Sequence, residues 1–184
     1  MTTSENFAEQ LKQGNREFFL RMNGILEKEG LIIRCGDKRF ANRVTYFPDT
    51  NRKNPLELKK QQPLVLRYTI DDNGLTVELK LNYLHYYPDI IDNMPEHIKN
   101  VLRSIKHCRI ETCGGYEGDS QTTLKCGGRR GWMLDGKPYY LCSYDYYFNP
   151  DISNPDDVEH YAKIIKAEVA AAKARKKHNT IIYG

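Results

Sequence analysis

Two segments of alternating apolar and polar residues limit the possible folds of this chain more than any other feature. They span residues 64–70 and 75–81, and the turn between them contains Asn73-Gly74. Alternation with a period of two is typical of a strand with one buried face, and Asn-Gly is among the strongest hairpin signals. The sequence therefore predicts an antiparallel hairpin whose second strand has one face in the core and one face in water.

Further helices and strands follow from the spacing of apolar residues and from capping residues. Steps of three to four residues predict helices over 4–29 and 94–106, with Asn93 as the cap of the second. Asn154 followed by Pro155 predicts the start of a last helix. Other strands are predicted at 31–35, 39–47, 130–134 and 137–148.

The connections between the strands indicate the fold class. Because tight turns rather than crossover helices join them, we expect an α+β fold. Its antiparallel sheet would have about five to six strands built from hairpins, with the N-terminal, middle and C-terminal helices packed on it. At 184 residues the chain fits a single domain, 1–184, with a cysteine-rich loop at 107–128 and a basic helical tail at 170–184.

Composition limits the function classes. No apolar run approaches the ~20 residues of a membrane span, and residues 1–13 lack the pattern of a secretory signal. The sequence therefore predicts a soluble, cytoplasmic protein. A net charge of +4 allows contact with nucleic acid but supports it only weakly.

Four of the five cysteines lie close together in the sequence: Cys108, Cys113, Cys126 and Cys142. Their spacing is Cys-x4-Cys, x12, then Cys-x15-Cys, and two of them open Cys-Gly-Gly turns. Four thiolates can hold zinc, and a reducing compartment disfavours disulfides. The pattern predicts a zinc site; a disulfide or ordinary buried thiols are the alternatives. Cys35 is expected in the core.

The sequence favours binding over catalysis. A closed four-thiolate zinc site is typically structural, and no nucleophile–base pair emerges from the spacing of residues. Gly131, Gly136 and Lys137 imitate a phosphate-binding loop, but Pro138 stands where serine or threonine is required. We therefore expect a non-catalytic binding or regulatory domain with a structural zinc site.

A tyrosine-rich set of residues supports an alternative function. Tyr83, His85 and Tyr86 in one connection could form a ligand pocket with Tyr140 and Tyr144. That pocket would belong to a small-molecule-binding protein or an enzyme. The simpler interpretation is a sheet face covered by a helix, since Tyr140, Cys142, Tyr144, Tyr146 and Phe148 share one face of a single strand by the period of two.

A short basic segment supports a third function. Arg129 and Arg130 follow a Gly-Gly turn and could bind an anion, which would suit a nucleic-acid accessory protein. A solvated basic turn is the simpler interpretation, because charged blocks this short are usually surface features. Binding partners and oligomeric state are not indicated by the sequence.

Several motifs from about residue 64 onward resemble a group of uncharacterised bacterial proteins. The motifs are the hairpin turn at 72–74, Met-Pro-Glu-His-Ile at 94–98, Cys126-Gly-Gly, the segment 134–142, and Tyr-Phe-Asn-Pro at 147–150. The resemblance covers roughly two thirds of the chain. It implies a bacterial, cytosolic α+β domain with a C-terminal four-cysteine cluster, and it implies no activity.

Overall fold

The computed structural model of the chain describes residues 4–35, 43–47, 65–105, 129–142 and 147–182. Helices α1 to α5 span Ser4–Ala8, Gln13–Lys28, Pro88–Asp92, Glu96–Arg103 and Val158–Ile182. Strands β1 to β6 span Ile32–Cys35, Arg43–Phe47, Leu66–Asp71, Gly74–Leu79, Arg129–Leu134 and Lys137–Cys142. Short 3₁₀ turns lie at Leu84–Tyr86 and Pro155–Asp157.

The predicted hairpin forms one side of a four-stranded antiparallel sheet. Its strands lie in the order β1-β2-β3-β4. Asp71 pairs with Gly74 across the turn, and Gly74 has a φ of +108°, which glycine adopts without a steric cost. The α+β class and the antiparallel pairing are confirmed.

The single sheet of five to six strands is not confirmed, because β5 and β6 form a separate two-stranded sheet among the described residues. The predicted strand 137–148 ends as β6 at Cys142. Phe148 instead makes an isolated bridge to Leu79 on β4, with N–O distances of 2.8 and 2.9 Å. Phe148 therefore hydrogen-bonds to the larger sheet, while residues 143–146 of the predicted strand lie outside the described residues.

The prediction that Tyr140 and Phe148 share one face of a single strand is therefore wrong. Tyr140 is 38% exposed, whereas Phe148 is 2% exposed and packs edge-on against Trp132 with ring centroids 6.3 Å apart. Trp132 is buried on the face of the β5–β6 hairpin opposite Tyr140, as alternation along the strands requires. The face of the β5–β6 hairpin that carries Trp132 is therefore buried, whereas the face that carries Tyr140 is exposed.

The core lies between one face of the four-stranded sheet and helices α2 and α5. Phe19 of α2 packs edge-on against Tyr68 of β3, with ring centroids 5.0 Å apart. Phe18, also on α2, contacts Tyr161 of α5 at 6.1 Å. The buried sheet residues alternate along the strands: Val44, Tyr46, Leu66, Tyr68, Val77 and Leu79.

Helix ends follow local chemistry, with two departures from the sequence predictions. Asn154 caps the last helical segment as predicted, since its side chain accepts a hydrogen bond from the Asp156 amide at 3.1 Å. Asn93 does not cap α4. Its side chain donates to the Asp89 carbonyl at 2.8 Å and so closes the preceding helix α3, which the sequence did not predict. The predicted helix 4–29 divides before Gln13 into α1 and α2.

Replacing Gly14 with alanine is expected to lower the free energy of unfolding by about 1–3 kcal/mol. A Cβ at Gly14 would lie 2.9 Å from the Ser153 carbonyl oxygen, so the backbone at 153 would have to shift. Gly24 is the matched control, because a Cβ there meets nothing within 4 Å. Gly24→Ala should stabilise α2 by about 0.5–1 kcal/mol. Urea unfolding of both variants tests this; equal effects would contradict the close approach of α2 to Ser153.

None of the described helices is long and apolar enough to cross a membrane.

Candidate functional site

The predicted zinc ligands lie mostly outside the described residues. Cys108, Cys113 and Cys126 belong to segments that the structure does not describe, and Cys142 is the last residue of β6. Within the described part of the chain, no group of three His, Cys, Asp or Glu side chains is placed to hold a metal ion. The zinc site therefore stays a prediction.

The predicted ligand-binding residues of the tyrosine-rich connection do come together. The ring centroids of His85 and Tyr86 lie 4.2 Å apart, and those of Tyr83 and Tyr86 lie 6.1 Å apart. Tyr86 is 59% exposed. The three rings therefore form a small surface cluster on and beside the 3₁₀ turn that precedes α3.

A buried carboxylate that the sequence analysis did not single out holds this connection against α5. Glu168 accepts hydrogen bonds from the backbone amides of Asn82 at 2.6 Å and Tyr83 at 3.1 Å, and from the Tyr87 hydroxyl at 2.6 Å. It is 2% exposed, and burial raises its pKa to about 7 despite these three donors. The sequence signal was a single glutamate among apolar positions of an amphipathic helix.

The remaining predicted ligand-binding residues lie on the β5–β6 hairpin or outside the described residues. Tyr140 covers Gly131, where an added Cβ would lie 3.1 Å from the tyrosine ring. Arg129 and Arg130 begin β5 and pair with residues at the end of β6. Tyr144 lies in a segment that is not described.

A cleft of about 400 Å³ lies between the start of α2, strand β4 and residues 149–153. Two of its polar side chains already form hydrogen bonds with the local backbone. The Asn149 side chain donates to the Val77 carbonyl at 3.1 Å, and Asp151 accepts from the Ser153 amide at 2.9 Å. That amide, together with the Ser153 side chain, lowers the pKa of Asp151. These contacts explain the cleft as part of the packing of the 149–153 segment.

His97 and Asp157 form a second polar contact between helices. The His97 Nε2 atom lies 2.9 Å from both carboxylate oxygens of Asp157, which is buried, while His97 is largely exposed. The pair joins α4 to the 3₁₀ turn that precedes α5. A histidine held in this way by a buried carboxylate fixes the relative position of two helices.

The outward face of the four-stranded sheet carries several charged side chains. We call it the polar face, and its strand residues are all half-buried: Arg43, Thr45, Arg67, Thr69, Thr76 and Glu78. Register aligns them in two rows across the strands. Arg43, Thr69 and Thr76 form one row. Thr45, Arg67 and Glu78 form the other.

Arg67 is the centre of the polar face. Its Nε forms a short ion pair with Glu78, and the two side chains are only 20% and 18% exposed. The Arg67 guanidinium carbon lies 5.0 Å from the centroid of the Tyr147 ring. The Lys80 Nζ atom lies 5.3 Å from the same centroid. The hydrogen bond to Glu78 raises the pKa of Arg67. This cation is thus firmly positioned.

Arg43 experiences a different balance of charges. Burial, followed by the neighbouring charge of Arg67, lowers the pKa of the Arg43 guanidinium, although Glu78 and Tyr147 act in the opposite direction. Among the described residues of the polar face, Lys80 adds a cation to Arg43 and Arg67, and Glu78 supplies a carboxylate. Such a surface can bind an anion, because half-buried charges are screened less than fully exposed ones.

Sequence reasoning found only part of the polar face. The alternation of the second hairpin strand predicted one wet face, which includes Thr76, Glu78 and Lys80. Arg43 and Tyr147 come from distant segments, and only strand pairing brings them beside Arg67. No signal in the sequence linked these segments.

Comparison with family models, curated proteins and solved structures gives no match for the chain. The resemblance to uncharacterised bacterial proteins therefore remains a prediction.

Proposed function

We propose that the chain is a non-catalytic binding domain that takes an anionic partner on the polar face of its four-stranded sheet. The observation that carries the proposal is the cluster of positive charges there. Arg43, Arg67 and Lys80 share this face with Glu78, and the Tyr147 ring lies beside Arg67 and Lys80. Guanidinium, hydroxyl and phenol groups recognise anions by hydrogen bonds and charge.

Partial burial increases the effect of these charges. Arg67 is only 20% exposed, so its interaction with a bound anion would be stronger than that of a fully solvated cation. Arg67 is also held by Glu78 before any partner binds. A side chain that is already positioned loses less conformational freedom on binding than a freely rotating one.

Retention on immobilised heparin, used as a general polyanion, tests the proposal. Arg43→Gln and Lys80→Gln should each elute at lower salt than the parent, since each variant removes one cation from the polar face. Lys163→Gln on the exposed surface of α5 is the control, because it makes the same change in net charge. If all three variants shift equally, binding depends on net charge and the proposal is wrong.

We also propose that Cys108, Cys113, Cys126 and Cys142 hold a structural zinc ion. The support is the cysteine spacing and the position of Cys142 at the end of a strand. Protein purified without added metal should contain zinc in stoichiometric amount. Cys113→Ser and Cys126→Ser should lose the metal and melt at lower temperature. Metal-free protein with five reactive thiols would refute the site.

A further inference from the structure

We infer that the outer edge of β4 at residues 75–77, called here the free edge, binds an extended peptide segment of a partner protein. The peptide would add to the four-stranded sheet as a further strand. This surface is distinct from the polar face, so the inference does not depend on the anionic partner proposed there. Three observations carry it: unpaired main-chain groups along the free edge, an internal segment that already pairs with the same strand, and the cleft beside it.

The main-chain groups of alternate β4 residues point away from β3. Leu79 shows the direction, because its N–H and its C=O both bond to Phe148, at 2.8 and 2.9 Å. In an antiparallel ladder the N–H and C=O of one residue point to the same side of the strand, and every second residue points to that side. Val77 and Leu75 therefore direct their main-chain groups to the outer edge as well.

Three of these outward groups are available to a partner. The Val77 carbonyl accepts a hydrogen bond from the Asn149 side chain at 3.1 Å. Among the described residues, nothing bonds to the Val77 N–H or to the N–H and C=O of Leu75. The free edge also contains neither the lysine nor the proline with which proteins commonly block an edge strand. A row of unpaired N–H and C=O groups is a template for another strand.

The chain itself shows that this side of β4 accepts an extended segment. Phe148 pairs antiparallel with Leu79. In the same register residue 150 would lie opposite Val77, but Pro150 has no N–H to donate, so the pairing stops. The Asn149 side chain supplies the donor to the Val77 carbonyl instead. A peptide on the free edge would continue the pairing that Phe148 begins.

The cleft of about 400 Å³ between α2, β4 and residues 149–153 gives a peptide access to the free edge. Its lining includes Leu75, Thr76, Val77, Asn15 and Ile152. The free edge spans about 10 Å, which accommodates two to three residues of an extended chain. The Asn15 side-chain amide can donate to and accept from a peptide main chain.

The groups on the free edge suit an extended peptide better than a small molecule. They recur at the two-residue repeat of a strand, about 6.8 Å, which another extended main chain matches. Alternation also determines the preferred side chains. A peptide residue opposite Leu75 would meet the apolar Leu75 and Ile152 and should be apolar. Its neighbour, opposite Thr76, would lie at the border of the polar face and should be polar. This arrangement is the strand-addition mode of peptide recognition.

A nuclear magnetic resonance titration of the full chain tests the inference. The probe is acetyl-Thr-Val-Thr-Val-Thr-amide, whose side chains alternate as the free edge requires and favour extended backbone. We expect a dissociation constant of about 1 mM or tighter, with the largest shifts at the amides of Leu75 and Val77, whose exchange with solvent should slow. The same peptide with every amide N-methylated cannot donate hydrogen bonds and should bind at least about tenfold more weakly.

A proline variant separates the main chain of the free edge from its side chains. Leu75→Pro removes an outward N–H and leaves the hydrogen bonds between β3 and β4 in place, so it should fold and bind the peptide at least about tenfold more weakly. Leu75→Ala shortens the side chain but keeps the N–H, and should weaken binding about threefold or less. Melting temperatures show whether both variants fold. The N-methylated peptide keeps the test decisive if Leu75→Pro does not fold.

The outcomes separate this inference from the proposed function. A probe that fails to bind, or that binds as well when N-methylated, would overturn the inference, and so would equal affinities of Leu75→Pro and Leu75→Ala. A parent chain that sediments as a dimer, with Leu75→Pro a monomer, would mean that a second copy occupies the free edge, and the inference would again be wrong. Heparin retention should be unchanged in Leu75→Pro. Heparin retention that does not depend on Arg43 or Lys80 would remove the proposed function and leave the peptide site standing.

Discussion

Replacing Phe19 with alanine is expected to lower the free energy of unfolding by about 4 kcal/mol. Phe19 is fully buried, and its ring lies 5.2 Å from that of Phe7 and 5.0 Å from that of Tyr68. Removal of a buried phenyl ring loses its transfer free energy and leaves a cavity, which together cost about 3–5 kcal/mol. Urea unfolding followed by far-ultraviolet circular dichroism measures the loss.

The neighbouring residue provides a matched control on the same helix. Leu20 is 44% exposed, so Leu20→Ala should change the free energy of unfolding by about 0.5 kcal/mol or less. Phe19→Leu keeps most of the apolar volume, and it should cost clearly less than Phe19→Ala. Similar losses in Phe19→Ala and Leu20→Ala would contradict the packing of α2 against the sheet.

The contact between Phe19 and Tyr68 also connects the core to the polar face. Tyr68 lies between Arg67 and Thr69 on β3, and the side chains of these two neighbours emerge on the opposite side of the sheet. Burial of Tyr68 against α2 therefore fixes the position and direction of the Arg67 and Thr69 side chains. The core packing therefore positions Arg67 and Thr69 on the polar face without contributing an atom to that face.

Features that depend on neighbours in the sequence were predicted well. The β3–β4 hairpin follows from alternation and the Asn73-Gly74 turn, and the Asn154 cap follows from a side chain that bonds two residues ahead. Gly30, directly after the predicted helix 4–29, has a φ of +72°, which suits a glycine that ends a helix. These signals are local, so tertiary packing had little opportunity to override them.

Features for which two structural outcomes were open were predicted poorly. The Asn93 side chain donates to the Asp89 carbonyl of the preceding helix α3 and does not cap α4. Phe148 was assigned to the hairpin because alternation continues through residue 148, yet it pairs with Leu79 instead. Periodicity identifies a face of a strand, but it cannot say which neighbouring strand supplies the hydrogen bonds.

The candidate site shows the same limit. The wet face of β4 was predicted, but the positive charge of the polar face also depends on Arg43, which joins it only through strand pairing. Tyr147 reaches Arg67 only through packing. Glu168 was missed because the amphipathic pattern of α5 remains clear around one buried acid. Its role needs the amides of Asn82 and Tyr83, which lie on a connection far away in sequence.

The buried carboxylate of Glu168 is expected to make stability decrease as the pH rises from about 4.5 to about 7. Burial raises its pKa to about 7 in the folded protein, from an ordinary value of 4.5 in the unfolded chain. Between these values the folded state binds more protons, so the free energy of unfolding falls with increasing pH. This contribution of Glu168 to the free energy of unfolding is about 3 kcal/mol. It is fully present below about pH 4.5 and is lost as the pH rises through 7.

Comparison of the parent with Glu168→Gln isolates this contribution, because all other titrating groups are common to both proteins. Glutamine resembles the protonated acid in having one acceptor oxygen and one donor group, so the two proteins should be most alike near pH 4.5. The stability of the parent relative to Glu168→Gln should then fall by about 3 kcal/mol as urea unfolding is repeated up to pH 8. Glu159→Gln, exposed on the same helix, controls for the loss of a charge. A difference between parent and Glu168→Gln that stays constant across this range would mean that the three donors keep Glu168 ionised throughout, so that hydrogen bonding rather than burial determines its charge.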